Sequence, residues 1–250
     1  MKKIVSIVLA AILVLGVFTA CGSSNSMTIE KGKLVMSTNA AFPPYEMTTD
    51  DGGFEGIDVE IADAIAKKLG LELVIDDMDF DAALLAVQQN KADIVMSGVT
   101  INEDRKLVMG FSQSYISSNQ VIIVKEGSDV TLDNLGDQTI GTQRGTTGYI
   151  YTSGDYGEDH VIAYDNGATA VQALVNGQID CVVIDADPAK AFVEANAGLT
   201  ILDTAYATED YGIGMNKDNT ALIEAVDKAL TELKADGTLD AIVGKYISAE

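Results

Sequence analysis

Few side chains in this 250-residue chain could make or break bonds. Two cysteines, Cys21 and Cys181, and one histidine, His160, leave no zinc-ligand spacing and no redox pair. Cys181 sits in an apolar stretch and reads as an inert core thiol rather than as a catalytic partner of His160. The run Asp76-Asp77-Met78-Asp79-Phe80-Asp81 gathers carboxylates for calcium, but it lacks the glycine and closing glutamate of an EF-hand. There is no Gly-x-x-x-x-Gly-Lys-Ser/Thr, so the chain does not itself hydrolyse ATP. No metal, no cofactor and no catalytic residue is therefore expected.

What remains is charge that can recognise charge. Arg105 is a natural fork for a carboxylate, although an arginine behind Asn102-Glu103-Asp104 also fits a solvated helix face. Asp185 can supply a counter-charge or cap a helix that starts at Ala186, a role for which Asp187-Pro188 competes. Thr146 and Thr147 can offer polar groups to a ligand or cap a helix beginning near Gly148.

These groups need a scaffold, and the composition bounds it. Hydrophobic residues make up 47%, which suits a globular protein and excludes disorder as the main state. Lys plus Arg total 16 against 38 for Asp plus Glu, a net charge of −22. That field repels phosphate backbones and anionic lipid surfaces, so nucleic acid is not an expected partner. At the start, Lys2 and Lys3 precede an apolar run over residues 4–18, and Thr19 and Ala20 stand before Cys21. Residues 1–20 thus read as a secretory signal peptide, too short for a membrane span. Phe18-Thr19-Ala20-Cys21 resembles the lipobox of bacterial lipoproteins, in which cleavage leaves a lipidated cysteine at the new N-terminus. Residues 21–32 are then the lipidated Cys21 and a tether begun by Gly22-Ser23-Ser24-Asn25-Ser26. The lipid anchor is the only membrane contact expected.

The elements alternate after the tether. Residues 33–37 form a strand-like run, and Ile61, Ile65 and Leu69 repeat with helical spacing before a stop at Gly70. Residues 71–75 return to strand, Asp81 can cap a helix over 82–89, and 94–97 is again a strand. That order predicts an α/β fold with a largely parallel sheet. AVQQNKADIVMSG (residues 86–98) aligns without a gap on ALVNGQIDCVVID (residues 173–185). This echo places Gly98 and Asp185 at matching strand ends in two lobes, where ligands of open α/β sheets sit. Residues 121–124 and 211–215 are candidate strands crossing between the lobes. Apolar faces carrying Leu222, Val226, Leu230 and Leu233, and then Leu239, Ile242, Val243 and Tyr246, predict two closing helices on the first lobe.

AAFPPYE (40–46), GIDVEIADAIAKKLG (56–70), ADIVMSGVTINEDRK (92–106), GTQRGTTG (141–148) and IDCVVIDADPA (179–189) complete a pattern over nearly all of the mature chain. In this order and spacing they resemble bacterial extracellular solute-binding proteins of family 3, the polar amino-acid receptors of ABC importers. The resemblance implies a two-lobed periplasmic-binding-protein-like α/β fold of type II, with two hinge strands and the ligand in the interlobe cleft. Residues 33–117 and 206–250 would form the first lobe and 118–205 the second. It also implies a monomer that hands a free amino acid to separate permease and ATPase subunits.

By the same resemblance, Arg105 and the Thr100 hydroxyl and amide receive the ligand carboxylate, joined by amides of the Gly145-Thr146-Thr147 loop. Gly98 offers its carbonyl to the ammonium and Asp185 its charge. Phe42 and Phe80 sandwich the side chain, and Asn39 and Gln143 are polar pocket residues. Many relatives that bind cationic amino acids carry aspartate at the position of Asn39, so an uncharged ligand such as glutamine or cystine is favoured over arginine. Glu46 or Asp210 could still add negative charge and Arg144 positive charge. Two other functions share the fold: an exported prephenate-type dehydratase, for which Glu46 is the candidate acid, and a sensor ectodomain, which would need a signalling domain or second membrane segment.

Overall fold

The computed structural model describes residues 27–247, so the signal segment, Cys21 and residues 22–26 lie outside the described residues. Two sheets carry the fold. The first orders strands Glu72–Asp77, Lys33–Thr38, Ile94–Val95, Gly214–Met215 and Gly110–Phe111 side by side. Its first three strands are parallel, as the alternating order predicts. The second orders Val161–Tyr164, Ile140–Gln143, Cys181–Asp185, Ile116–Lys125 and Leu199–Ile201, again parallel through its first three strands. Ala207–Tyr211 runs antiparallel along Ile116–Lys125, and the two lie where the chain leaves and re-enters the first sheet.

The Ile57–Leu69 helix buries Ile57, Ile61 and Ile65 and ends at Gly70, whose φ of 69° supplies the left-handed stop. Helices Thr220–Ala235 and Thr238–Tyr246 pack on it through Leu222, Val226, Leu230, Leu239 and Ile242. Cys181 is enclosed by Ile122, Ile140 and Val183, and burial pushes its thiol up to about 12, which keeps it protonated and inert.

Of the boundaries that differ from the sequence expectation, four have a clear physical cause. The second helix spans Phe80–Gln88, with Asp79 rather than Asp81 at its N-cap and no side-chain capping bond. Burial of Phe80 beside Val35 and Ala83 fixes where that helix begins, which outweighs capping chemistry. The crossing strand extends back to Ile116, because Ser117 to Gln120 find a ladder partner in Ala207–Tyr211. Residues 211–215 split into two strands, since the Gly212 amide bonds the Val99 carbonyl and the Ile213 amide bonds Ser112 Oγ. The tether is shorter than expected: the Ile29 amide bonds Asp93, and Asn219 Nδ2 bonds the Met27 carbonyl.

The sequence echo is a structural repeat. Asn90 and Gly177 both take left-handed φ, 55° and 71°, and the amides of Lys91 and Gln178 close the same bond to the carbonyls of Ala86 and Ala173, at 2.8 and 2.9 Å. Asp93 Oδ2 then accepts the Val35 amide and Asp180 Oδ2 the Thr139 amide, each at 2.8 Å, pinning the neighbouring parallel strand. Asp93 is buried and holds a second amide, whereas Asp180 is exposed. Asp93→Ala should therefore cost roughly 2 to 3 kcal/mol and Asp180→Ala under about 1 kcal/mol. Equal losses in urea unfolding would show that exposure does not set the difference.

Candidate functional site

The two sheets face each other across a tightly closed cleft, whose remaining cavity of about 10 Å³ is the size of a single water. Its wall contains Asn39, Phe42, Phe80, Gly98, Thr100 and Arg105 from the first side and Gln143, Thr146, Thr147 and Asp185 from the second. All ten residues singled out in the sequence thus line one space, and the structure adds Ser97. Gly98 and Asp185, the ends of the two echoed units, meet there as the repeat requires.

Arg105 is placed by a short helix, Glu103–Val108, whose N-cap Asn102 accepts the Arg105 amide at 2.8 Å. The side chain turns inward and is only 7% exposed, so the solvated-face alternative does not hold. Its Nη1 donates to the Thr100 carbonyl at 2.9 Å and its Nη2 crosses the cleft to the Gly145 carbonyl at 3.2 Å. The guanidinium also lies over the Phe80 ring, 5.5 Å from its centroid. Nε is buried with no partner among the described residues, a donor left for an acceptor in the cavity. Burial lowers the pKa of this group, opposed by Glu209 and Asp185, and it remains a cation.

Asp185 stands at the N-cap of the Ala186–Ala195 helix but makes no side-chain capping bond. Its carboxylate instead accepts from Tyr211 Oη and from Gln120 Nε2, the latter at 2.8 Å. Burial, and then the charge of Glu209, push it up to about 7. Thr146 and Thr147 divide their roles. Thr146 Oγ1 donates to the Gln143 carbonyl at 2.8 Å and accepts from the Tyr149 amide, so its hydroxyl is used in capping the Thr147–Tyr156 helix. Thr147 opens that helix, where leading amides have no helical acceptor, and its Oγ1 lies 3.4 Å from Thr100 Oγ1 on the opposite wall.

Aromatic and amide groups make the remaining walls. Gln143 Nε2 donates to Asn39 Oδ1 at 2.9 Å, and Asn39 Nδ2 donates to the Met78 carbonyl at 3.0 Å. This neutral pair joins the two sides of the cleft beside Phe42 and Phe80. Gly98 has φ of 54°, and a Cβ there would stand 2.7 Å from the Phe42 ring.

Other candidates lie elsewhere. Arg144 turns outward to the Ala163 carbonyl and Asp165. Asp210 is exposed and accepts from Ser114 and Ser117. Glu46 is wholly buried behind Ser97, which donates to it at 2.7 Å, so it cannot serve as an acid facing the cavity. In the acidic run, Asp77 is engaged with the Ala40 amide, and Asp81 reaches across to Gly145, where an added Cβ would meet its carboxylate.

Sequence reasoning missed the buried polar groups on the crossing strands that hold the wall residues from behind. Glu209 Oε2 accepts from Thr100 Oγ1 at 3.1 Å and from Gln120 Nε2 at 2.9 Å. Alternation along Ala207–Tyr211 buries Glu209 and Tyr211 on one side, a pattern that could have pointed to both. Contacts across the cleft, including Tyr45 Oη to Asp187 Oδ2 at 2.8 Å, hold the two lobes closed.

Comparison with known proteins agrees with this fold. The arginine-binding extracellular protein ArtP of Bacillus subtilis (strain 168) is 33% identical, with 100% of both chains covered. The L-cystine-binding protein TcyJ of Escherichia coli (strain K12) is 31% identical over 88% of this chain and 85% of its own. An ancestral arginine-binding protein bound to arginine is 38% identical, covers 87% of this chain and 99% of its own, and superposes with a TM-score of 0.83. An ancestral arginine-binding protein bound to glutamine also gives 38% and 0.83, with 88% of this chain and 100% of its own covered. Residues 34–249 match the family model for bacterial extracellular solute-binding proteins, family 3, and the chain belongs to that family.

Proposed function

We propose that this chain is the extracytoplasmic receptor of an amino-acid ABC importer, capturing a free polar amino acid between its lobes and passing it to permease and ATPase subunits. The observation that carries this reading is the placement of Arg105 and Asp185 on opposite walls of one cavity. A zwitterion matches that pair: the carboxylate meets Arg105, the Thr100 hydroxyl and the head of the Thr147 helix, and the ammonium meets Asp185 and the Gly98 carbonyl. Residues 33–117 with 206–250, and 118–205, move as lobes about the paired crossing strands. The chain works as a monomer, binds without chemical turnover and carries no cofactor or metal.

Neutral Asn39 and Gln143 beside Phe42 and Phe80 favour an uncharged polar side chain, with glutamine or cystine ahead of arginine. A thermal-shift screen of the common amino acids and cystine tests both levels. A ligand at 100 times its dissociation constant should stabilise the fold by roughly 2.7 kcal/mol. Stabilisation by none of them would defeat the receptor reading, and tight binding of arginine alone would defeat the neutral preference.

The mature protein is held at the membrane by lipidated Cys21. Cys21→Ser should release it into the soluble fraction. A variant that stays anchored and unprocessed would mark residues 1–20 as a signal anchor instead.

A further inference from the structure

Behind the wall that carries Ser97 and Gly98 lie two carboxyl groups, Glu46 and Asp58, both wholly buried. They are the acidic residues of AAFPPYE and of the start of GIDVEIADAIAKKLG, and neither reaches the cavity. Asp58 Oδ2 accepts the Gly98 amide at 3.0 Å, and Tyr115 Oη donates to the Asp58 carboxylate, at 2.8 Å from Oδ1 and 2.9 Å from Oδ2. Glu46 Oε1 accepts from Ser97 Oγ at 2.7 Å, and Ser97 Oγ accepts the Asn39 amide at 3.1 Å. Glu46 Oε2 is buried with no donor facing it among the described residues, and after burial the Asp58 charge is what bears most on this group. Two ionised carboxylates buried beside one another repel strongly. One proton on Glu46 turns the repulsion into a bond and satisfies the orphaned oxygen.

We propose that Glu46 and Asp58 are positioning residues that share one proton behind the cavity wall and so hold Asn39, Ser97 and Gly98 in place for the amino group of the bound amino acid. This rests on the amino-acid reading of the cavity given above. Three wall residues hang on the pair, and Gly98 is held in a left-handed turn from which its carbonyl meets the ligand. Burial and the neighbouring Asp58 charge hold Glu46 protonated well above the ordinary carboxyl range. Asp58 is pushed up to about 6 by burial, against the bonds from Gly98, Tyr115 and Glu46. At neutral pH the pair therefore carries one proton and one negative charge. Tyr45 and Tyr115 also face the pair, and burial raises both so that they stay neutral. Asp185 is the further carboxylate near it and is ionised well above pH 7.

Infrared difference spectroscopy between wild type and Glu46→Gln at about pH 7 tests the shared proton directly, since any acid band of Asp185 is common to both. The wild type should show a carboxylic-acid carbonyl band that Glu46→Gln removes. Calorimetry at the same pH tests the positioning. Glu46→Gln keeps a donor for Asp58 and an acceptor for Ser97, so its affinity should stay within about threefold of wild type, whereas Glu46→Ala and Asp58→Asn should each lose at least about tenfold. Absence of the acid band, or a Glu46→Gln variant as weak as Glu46→Ala, would overturn the proposal. If Glu46→Ala fails to fold, the band and the wild-type-like affinity of Glu46→Gln still decide. A wild type that binds no amino acid would remove the receptor reading instead, while the infrared result still reports on the proton.

Discussion

Arg105→Ala and Asp185→Ala should each weaken amino-acid binding at least about tenfold, equivalent to about 1.4 kcal/mol. The two charges belong to opposite walls, so a ligand touches both only when the cleft is closed. Each charge-assisted bond contributes roughly 1.5 to 3 kcal/mol, and truncating one partner leaves the ligand's opposing charge buried and unpaired. Ligand addition should also compact the wild type in small-angle scattering, because the closed form alone makes the full set of contacts. Unchanged affinity in both variants, at unchanged stability, would remove the clamp and the site with it.

The same carboxylate fixes the sign of a pH effect. In the closed cleft without a ligand, Asp185 is raised to about 7 by burial and Glu209, above the ordinary value near 3.9. A raised carboxyl favours the protonated form, so acid stabilises ligand-free closure, fully below about 3.9, and that gain is lost as pH rises through about 7. An ammonium ligand requires the ionised form and acts in the opposite direction. Affinity should therefore be greater at neutral pH than at low pH, and Asp185→Ala should flatten that dependence. An equally steep profile in the variant would assign the effect to other groups such as Asp58.

The parts of the fold that were legible in the sequence are those set by local pattern. The apolar stripe of the Ile57–Leu69 helix and its stop at Gly70 follow from spacing and from glycine's left-handed freedom. The echoed units were legible because each carries the same turn and the same aspartate, which bonds a neighbouring strand in both copies. The ten wall residues came from motifs in order, not from any single spacing. Glu209, Gln120 and Tyr211 were missed for a physical reason. They meet only because Ala207–Tyr211 pairs with Ile116–Lys125, segments separated by most of the second sheet. A glutamate in a short strand reads as an outward-facing residue until that pairing buries it. The start of the Phe80–Gln88 helix was missed likewise, because tertiary burial of Phe80 decides it.

Gly56→Ala should cost roughly 3 kcal/mol or more, the second large effect expected, because it combines a forbidden backbone geometry with a backbone clash. Gly56 precedes the Ile57–Leu69 helix with φ of 128° and ψ of 174°, a conformation that side chains exclude. An added Cβ would stand 2.2 Å from the Tyr45 carbonyl oxygen and 2.9 Å from the Glu46 amide nitrogen. The Tyr45 carbonyl is not free to retreat, since it accepts the Asp58 amide at 2.9 Å while the adjacent Pro44 carbonyl accepts the Ile57 amide at 3.0 Å. The close approach brings the Glu46 segment against the head of the helix that carries Asp58, and with it the support of Ser97 and Gly98. For a chain of this length the loss corresponds to a fall in unfolding temperature of roughly 6 to 12 °C. Gly70→Ala is the matched control: it also has positive φ, but nothing lies within 4 Å of its Cβ position. Its cost should be the smaller, about 1 kcal/mol, from conformation alone. Equal losses in the two variants would mean that the contact with Tyr45 does not constrain the fold.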